Sequence, residues 1–533
     1  MLYFRSMRSI CKNSALALEL LFVFVAFGQS QNPSGNSTAK ALSAEQRAAR
    51  AFDVASKNPL DLRAFLVRMP KGADLHNHLS GAVYAESWIR AASEDQLCVN
   101  LATLSFSRPA TRPATPPALP DCGAGRVPAA QALKDQHLYD SLIDAFSMRS
   151  FVPSAGISGH DHFFDTFGKF GGTDQRHTGE WLDEVASRAA HQNEQYLELM
   201  VTPGFPRAAA LSKEIPWSND FAAMRAEYIS HGMAGDIADA RKYIDQAEQV
   251  RGEREQCGQT SESAACYLQL RFLYQVLRAG PKEQVFAQTL LGFEIASVDP
   301  RFVGINFVQP EDGCVAMTDY ALQMRMIGFL HIVYPRVHIS LHAGELAPGM
   351  VPPEGLCCHI RQAIEVAHAE RIGHGVDVMY EDNASELLKE MAAQHIMVEI
   401  NITSNDVILG VRGKDHPLPI YRQYKIPVAL STDDEGVSRI DITNEYVRAA
   451  KDFGLRYADL KQMARTSLEH SFLPGDSLWK ERDVFAATVP ACVPSSTGSE
   501  KPSSACSAFL KSSEKATQQR ELERRFREFE STF

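Results

Sequence analysis

A chain of 533 residues is too long for one minimal domain, yet it fits one large barrel with insertions and tails. Its 45% hydrophobic content is ordinary for a globular protein with a sizeable core. A net charge of −11 and a pI near 5.9 disfavour a sequence-independent grip on nucleic-acid phosphates, so a small or neutral substrate is the simpler expectation.

Residues 1–28 have the pattern of an export signal. Arg5, Arg8 and Lys12 form a basic start, the stretch from Ala15 to Phe27 is mostly apolar, and Ala26-Phe27-Gly28 offers small residues for cleavage. Glu19 interrupts the apolar stretch, which falls short of the ~20 residues of a membrane span. An uncleaved interfacial anchor and a mis-assigned start codon are the alternatives. Residues 29–68 form a helical leader in which Ser43-Ala44-Glu45-Gln46 has the pattern of a capping box. No later segment resembles a membrane span, so the expected destination is secreted or periplasmic, with no integral membrane segment once the signal is removed.

From residue 69 to 472, β-like apolar runs alternate with longer helical or polar stretches. The runs are 73–78, 196–201, 267–273, 302–308, 337–341 leading into His342, 371–374, 397–402, and 427–432 leading into Asp433. Eight strands alternating with helices predict an α/β fold, a closed (β/α)8 TIM-like barrel whose chemistry sits at the strands' C-terminal ends. Segments near 95–125 and 204–265 are expected insertions, the second of them helical. Residues 473–533 form a C-terminal extension, with the highly charged stretch from Glu514 to Glu530 expected as a solvated surface helix. There is no internal repeat.

Cysteine placement fits export. Cys98 and Cys122, Cys257 and Cys266, and Cys492 and Cys506 each bracket a polar excursion, and three local disulfides of this kind belong in an oxidising compartment. Cys11 falls in the leader, and Cys314 and the adjacent Cys357-Cys358 are left over. Free buried thiols are the alternative for all of them.

Four segments carry chemistry: His76-Asn77-His78, the quartet from His342 to Glu345, Gly373-His374-Gly375, and Ser431-Thr432-Asp433-Asp434. Each closes a strand-like run, and alternate strand residues share a face, so His76 and His78 point the same way. Three imidazoles (His76, His78, His342) plus the Asp433 carboxylate suit one zinc ion with a position left for water, the donor set of a mononuclear metal hydrolase. Glu345, three residues beyond His342, faces the same cavity as a candidate acid, and its pKa would need raising by burial. Asp434 follows a ligand aspartate and cannot share its face, so it is free to meet substrate or to cap the next helix. The absence of a Pro-Cys-x-x-Cys segment argues against the small Cys-liganded deaminase fold.

Together these motifs resemble the adenosine deaminase superfamily over roughly Met69 to Glu445, in particular its exported, growth-factor-like or bacterial periplasmic branch. The resemblance implies that His76, His78, His342 and Asp433 hold zinc, Glu345 is the proton donor, His374 partners the attacking water, and Asp434 contacts the purine. The implied partner is a small purine nucleoside, adenosine or deoxyadenosine, converted to the inosine form plus ammonia; the oligomeric state is not implied. His78, Ser80, Gln309 and Asp434 are the expected substrate contacts. Departures from the family pattern bear on specificity. Ser80 stands where many relatives have an acidic residue for the ribose, Gln309 where they have a Gly for a ring nitrogen, and Met200 where they have Arg. Another aminopurine derivative, or a non-enzymatic extracellular binding protein on the same scaffold, stays open as an alternative. Phe163, Phe164 and Phe167 have helical spacing and are expected to pack a crossover helix on the barrel, with an apolar gate to the pocket as the other possibility. His160, His162, His331, His338, His359, His368, His395 and His416 are expected to serve packing or solvent.

Overall fold

The computed structural model describes residues 42–109, 120–493 and 501–533. The expected export signal and the first part of the leader fall outside them.

Eight parallel strands make the central sheet: β1 (Gly72–His78), β2 (Glu194–Val201), β3 (Gln269–Leu277), β4 (Phe302–Val308), β5 (His338–Ala343), β6 (Arg371–His374), β7 (Met397–Ile400) and β8 (Val428–Leu430). Each pairs with the next in chain order. The circle closes just past β8, where Asp433 N–H donates to His76 O (2.8 Å) and His78 N–H donates to Asp433 O (3.1 Å). This is the (β/α)8 barrel expected from the eight runs. β1, β2 and β4 are buried along their whole length, as strands covered on both faces should be. β3 begins later than the 267–273 run and continues to Leu277, because the ladder to β4 extends through Gln275, a polar residue that the apolar run excluded.

The barrel interior is charged below the site. Arg371 on β6 donates to Glu198 on β2 (Nη2 to Oε2, 2.6 Å) and to Glu399 on β7 (Nε to Oε1, 2.7 Å), all three fully buried. The far end is plugged by Phe472, whose N–H donates to Glu198 Oε1 (2.7 Å) and whose ring lies 3.8 Å from the Arg371 guanidinium carbon. Met200 is buried with Leu273, Val303 and Phe472.

Ser43 caps the helix Ala44–Ala55 through the capping box with Gln46. The 95–125 insertion is a three-stranded antiparallel sheet (Cys98–Asn100, Ser105–Ser107, Arg126–Pro128). The insertion after β2 supplies three helices, Pro206–Glu214, Phe221–Ser230 and Ala234–Arg254. The three expected disulfides, Cys98–Cys122, Cys257–Cys266 and Cys492–Cys506, are present. Cys357–Cys358 is a fourth that spacing did not suggest, and Cys314 is free and exposed. The tail corrects an expectation: the helix Glu514–Ser531 is not merely solvated, because Leu522, Phe526 and Phe529 recur at i, i+4, i+7 and are buried. Phe529 meets Phe65 of the leader at 5.1 Å, so the two ends of the described chain share one aromatic cluster. Among the described residues no helix is long and apolar enough to cross a membrane.

Candidate active site

The barrel delivers the four motifs to one end. His76 and His78 are two residues apart on β1, His342 lies near the end of β5, His374 ends β6, and Asp433 follows β8. His374 (φ +68°) and Asp433 (φ +61°) hold left-handed backbone conformations, which for non-glycine residues cost on the order of 1–3 kcal/mol each and persist only where the surroundings impose them. For Asp433 those surroundings are the two bonds to β1, so closing the barrel and aiming this carboxylate are one event.

The imidazoles are fixed by what lies behind them. Nδ1 of His76 donates to Glu399 Oε2 (2.6 Å), Nδ1 of His78 to Gln275 Oε1 (2.8 Å), and Nδ1 of His342 to Asn306 Oδ1 (2.6 Å). With Nδ1 carrying the proton in each ring, the Nε2 lone pairs converge: His342 Nε2 is 3.1 Å from His76 Nε2 and 3.2 Å from His78 Nε2. Asp433 Oδ1 stands 3.4 Å from His76 Nε2 and 3.2 Å from His78 Nε2, while its Oδ2 accepts from Ser404 Oγ (2.6 Å). Ligands at ~2.0–2.1 Å around a tetrahedral zinc stand about 3.3 Å apart, so these donors have the spacing and the lone pairs of a cation cage. Burial opposes charge on His76, but the Asp433 and Glu399 carboxylates outweigh it and lift its pKa to about 10. A cation at this point therefore competes with a proton. His374 Nε2 lies within reach of the same cluster, yet at 3.9 Å from Asp433 Oδ2 and 3.7 Å from Glu345 Oε1 it stands one step back. Its Nδ1 faces Asn405 Oδ1 (2.9 Å), and burial lowers its pKa to about 4, so it is neutral at pH 7.

Beside the cage a cavity of about 390 Å³, within the ~300–1,000 Å³ usual for small-molecule sites, is lined by His78, Ser80, Gln309, Glu345, Asp433 and Asp434 on its polar side. Burial, then the charges of Asp433 and Glu311, push the Glu345 carboxyl well above its usual range, which favours its protonated form. Burial and the Asp433 charge do the same to Asp434, whose Oδ1 is buried with no hydrogen-bond partner. Asp434 starts the short helix Glu435–Ser438 but makes no side-chain cap. Gln309 also has a left-handed backbone (φ +89°), and its amide oxygen accepts Ala279 N–H (2.9 Å), leaving the amide nitrogen to offer a ligand. Phe163, Phe164 and Phe167 all line this cavity, so the helix Gly159–Phe167 is a wall of the pocket as well as a packed crossover element. Met200 does not line it.

Several residues of the site were not singled out from sequence. Gln275, Asn306 and Glu399 orient the three histidines; Asn306 and Glu399 are each the lone polar residue of an otherwise apolar strand, whereas Gln275 falls just past its apolar run. His359 and His416, expected to serve packing or solvent, are buried against Tyr320 and Phe453 and are also hydrogen-bonded behind the site. His416 Nε2 faces Asn405 Nδ2 (2.9 Å) behind His374, and His359 Nδ1 meets the buried Glu311 carboxylate.

A family model described as Adenosine deaminase matches residues 182–484, more than half of the chain, beginning after β1 and its two histidines. Adenosine deaminases of Clostridium perfringens (strain ATCC 13124) and Salmonella schwarzengrund are 32% and 39% identical over 168 and 151 residues. Those alignments cover 31% and 28% of this chain and 43% and 42% of theirs, so the chain spans under half the length of the curated relatives it matches. A crystal structure of Arabidopsis ADAL complexed with IMP is 20% identical, with a TM-score of 0.49, covering 76% of this chain and 93% of that one. On the family match, the chain belongs to the adenosine deaminase family.

Proposed function

We propose that this protein is a zinc-dependent hydrolase that deaminates a purine nucleoside, adenosine or deoxyadenosine, to the inosine form and ammonia. The observation that carries the proposal is the convergence of three imidazole Nε2 atoms and the Asp433 carboxylate beside the buried Glu345 carboxyl. His76, His78, His342 and Asp433 would hold the zinc. Bound there, zinc would act as a Lewis acid and lower the pKa of a water far enough to supply a nucleophile at neutral pH.

The chain's own residues do the rest. Glu345 donates its proton to the ring nitrogen next to the amine-bearing carbon, which makes that carbon electron-poor and open to attack. Neutral His374, between Glu345 and Asp433, orients the attacking water. Asp434, its carboxyl raised by burial and its Oδ1 without a hydrogen-bond partner, hydrogen-bonds a second ring nitrogen and fixes the base in its plane. The phenylalanine wall, with Leu277, Val308 and Ile408, covers the purine faces and excludes bulk water. No lysine or arginine lines the cavity among the described residues, so it offers no cationic side chain to a phosphate and suits an uncharged nucleoside. The protonated acid at Glu345 also favours catalysis over simple binding, since a binding protein gains nothing from that placement.

The test is an ultraviolet absorbance assay of purified protein with adenosine, deoxyadenosine, adenine, methylated adenosines, guanosine and AMP, with and without chelator. Turnover of adenosine that chelator abolishes and zinc restores is expected, with kcat/KM for AMP lower by at least about 100-fold, the scale of one lost or opposed charged contact. Undiminished activity after complete metal removal overturns the mechanism. The three disulfides across polar excursions further support an oxidising destination outside the cytosol; N-terminal sequencing of the exported chain should begin near residue 29, and an intact Met1 in the cytosol counts against it.

A further inference from the structure

Glu311 lies beyond the end of β4, buried and absent from the cavity lining, yet its carboxylate is fully engaged at the back of the catalytic acid. Oε1 accepts the N–H of Gly344 (3.0 Å), and Oε2 accepts the N–H of Glu345 (2.9 Å). His359 Nδ1 donates to Oε1 (2.5 Å) from the start of the helix His359–Glu365. The His359 ring is itself held flat against Tyr320, centroids 3.6 Å apart at 1°, and Tyr320 Oη donates to His359 O (2.9 Å). On the other side of the same peptide, Gly344 O accepts the N–H of Val376 (2.7 Å). Gly344 has φ +74°, and a Cβ there would stand 2.5 Å from Asp377 Oδ1, so the turn admits only glycine.

We infer that Glu311, braced by His359, is a positioning residue for Glu345: it clamps the two consecutive amide groups that set the direction in which the Glu345 side chain leaves the backbone. This rests on the proposed role of Glu345 as proton donor. A single side chain that accepts both N–H groups of a turn removes the freedom of that turn to rotate, and a carboxylate is the side chain that can accept two at once while taking a third bond from an imidazole. Electrostatics act in the same direction. Burial alone would raise the Glu311 pKa, but the His359 bond and charge, with Arg278 and the Glu345 amide, hold it down at about 2, so Glu311 stays ionised. Its charge is one of the causes that keep Glu345 protonated, after burial and Asp433. The same carboxylate thus aims the acid and helps retain its proton.

The experiment compares the full chain with Glu311→Gln, His359→Leu and His359→Gln on adenosine, measuring kcat, KM, bound metal and thermal unfolding. Glutamine at 311 can accept one N–H but turns an NH2 toward the other. Glu311→Gln is therefore expected to lower kcat by roughly 10–100-fold, the scale of an ångström-sized misplacement of a reacting group, with KM changed by less than about threefold and metal retained. His359→Leu should lower kcat in the same way, and His359→Gln, which keeps a donor, should recover part of it. Glu311→Gln with wild-type kcat, or with KM and metal content falling alongside kcat, overturns the positioning role while leaving the deaminase proposal intact if the wild type is active. A wild type without turnover overturns both.

Discussion

Glu345 and Asp433 are two carboxyl groups in one cavity, given opposite tasks by the proposed mechanism, and their surroundings separate them. Against burial, the imidazoles around Asp433, whenever protonated, hold its carboxyl below its usual range, whereas burial and neighbouring negative charge raise that of Glu345. A buried acid kept neutral can donate, and general acid catalysis is typically worth about 10²–10⁴-fold, so Glu345→Gln is expected to lose turnover by that factor while keeping its metal, as measured by steady-state assay and metal analysis. The pH profile follows by sign. The acid form of Glu345 is present below its raised pKa and lost as pH rises through it, so kcat falls on the alkaline side. The neutral form of His374, whose pKa burial lowers to about 4, is lost as pH falls through that value, which sets an acid limb. Glu345→Gln should abolish the alkaline limb in whatever activity persists; an unchanged alkaline limb would assign it to another group.

At the scale of strands, the apolar runs marked all eight members of the barrel, because a strand buried on both faces has little room for anything else. The i, i+2 spacing of His76 and His78 and the strand-end placement of His342, His374 and Asp433 were equally visible. What escaped were polar residues whose partners are remote: Glu198 and Arg371 are 173 positions apart and meet only across the closed barrel. No local pattern encodes such a pair, although a lone Glu in Leu-Glu-Leu and in Val-Glu-Ile marks a buried charge in search of a partner. Likewise Glu311 reads as a loop residue until the turn at Gly344 is brought against it. The tail helix differs from its expected solvated form for another reason: its charge density masks an apolar stripe at helical spacing. The Glu198–Arg371–Glu399 network links barrel to site, since Glu399 receives the His76 Nδ1 proton with one oxygen and Arg371 with the other. Arg371→Leu would strand two buried carboxylates, so a loss of about 3–5 kcal/mol in stability is expected, seen as a lowered Tm. The freed Glu399 would also orient His76 less well, and metal affinity should fall by roughly 10–100-fold, read by competition with a chelating dye. A variant that melts like wild type and holds metal as tightly would show that the network is not what fixes β1 to β7.

For the molecule as a whole, the barrel and its additions are stabilised by different means. The barrel has its own continuous core and a closed ladder, and both ends of the described chain are tied into one aromatic cluster through Phe65 and Phe529. The three disulfides across the polar excursions close loops of 24, 9 and 14 positions, and none joins two barrel strands. A cross-link over a short loop stabilises chiefly by restricting that loop when it opens, by about 2–4 kcal/mol, and the benefit stays local when the loop opens without the core. Cys98→Ser/Cys122→Ser should therefore leave adenosine turnover and the main melting transition near wild type. It should also speed limited proteolysis between residues 98 and 126, where the small three-stranded sheet would lose its staple. Cleavage confined to that segment, with the remaining fragments still associated and active, is the expected pattern. A concerted loss of activity and of the main transition would mean instead that the insertion and the barrel unfold as one cooperative unit, in which case the disulfide stabilises the site from a distance.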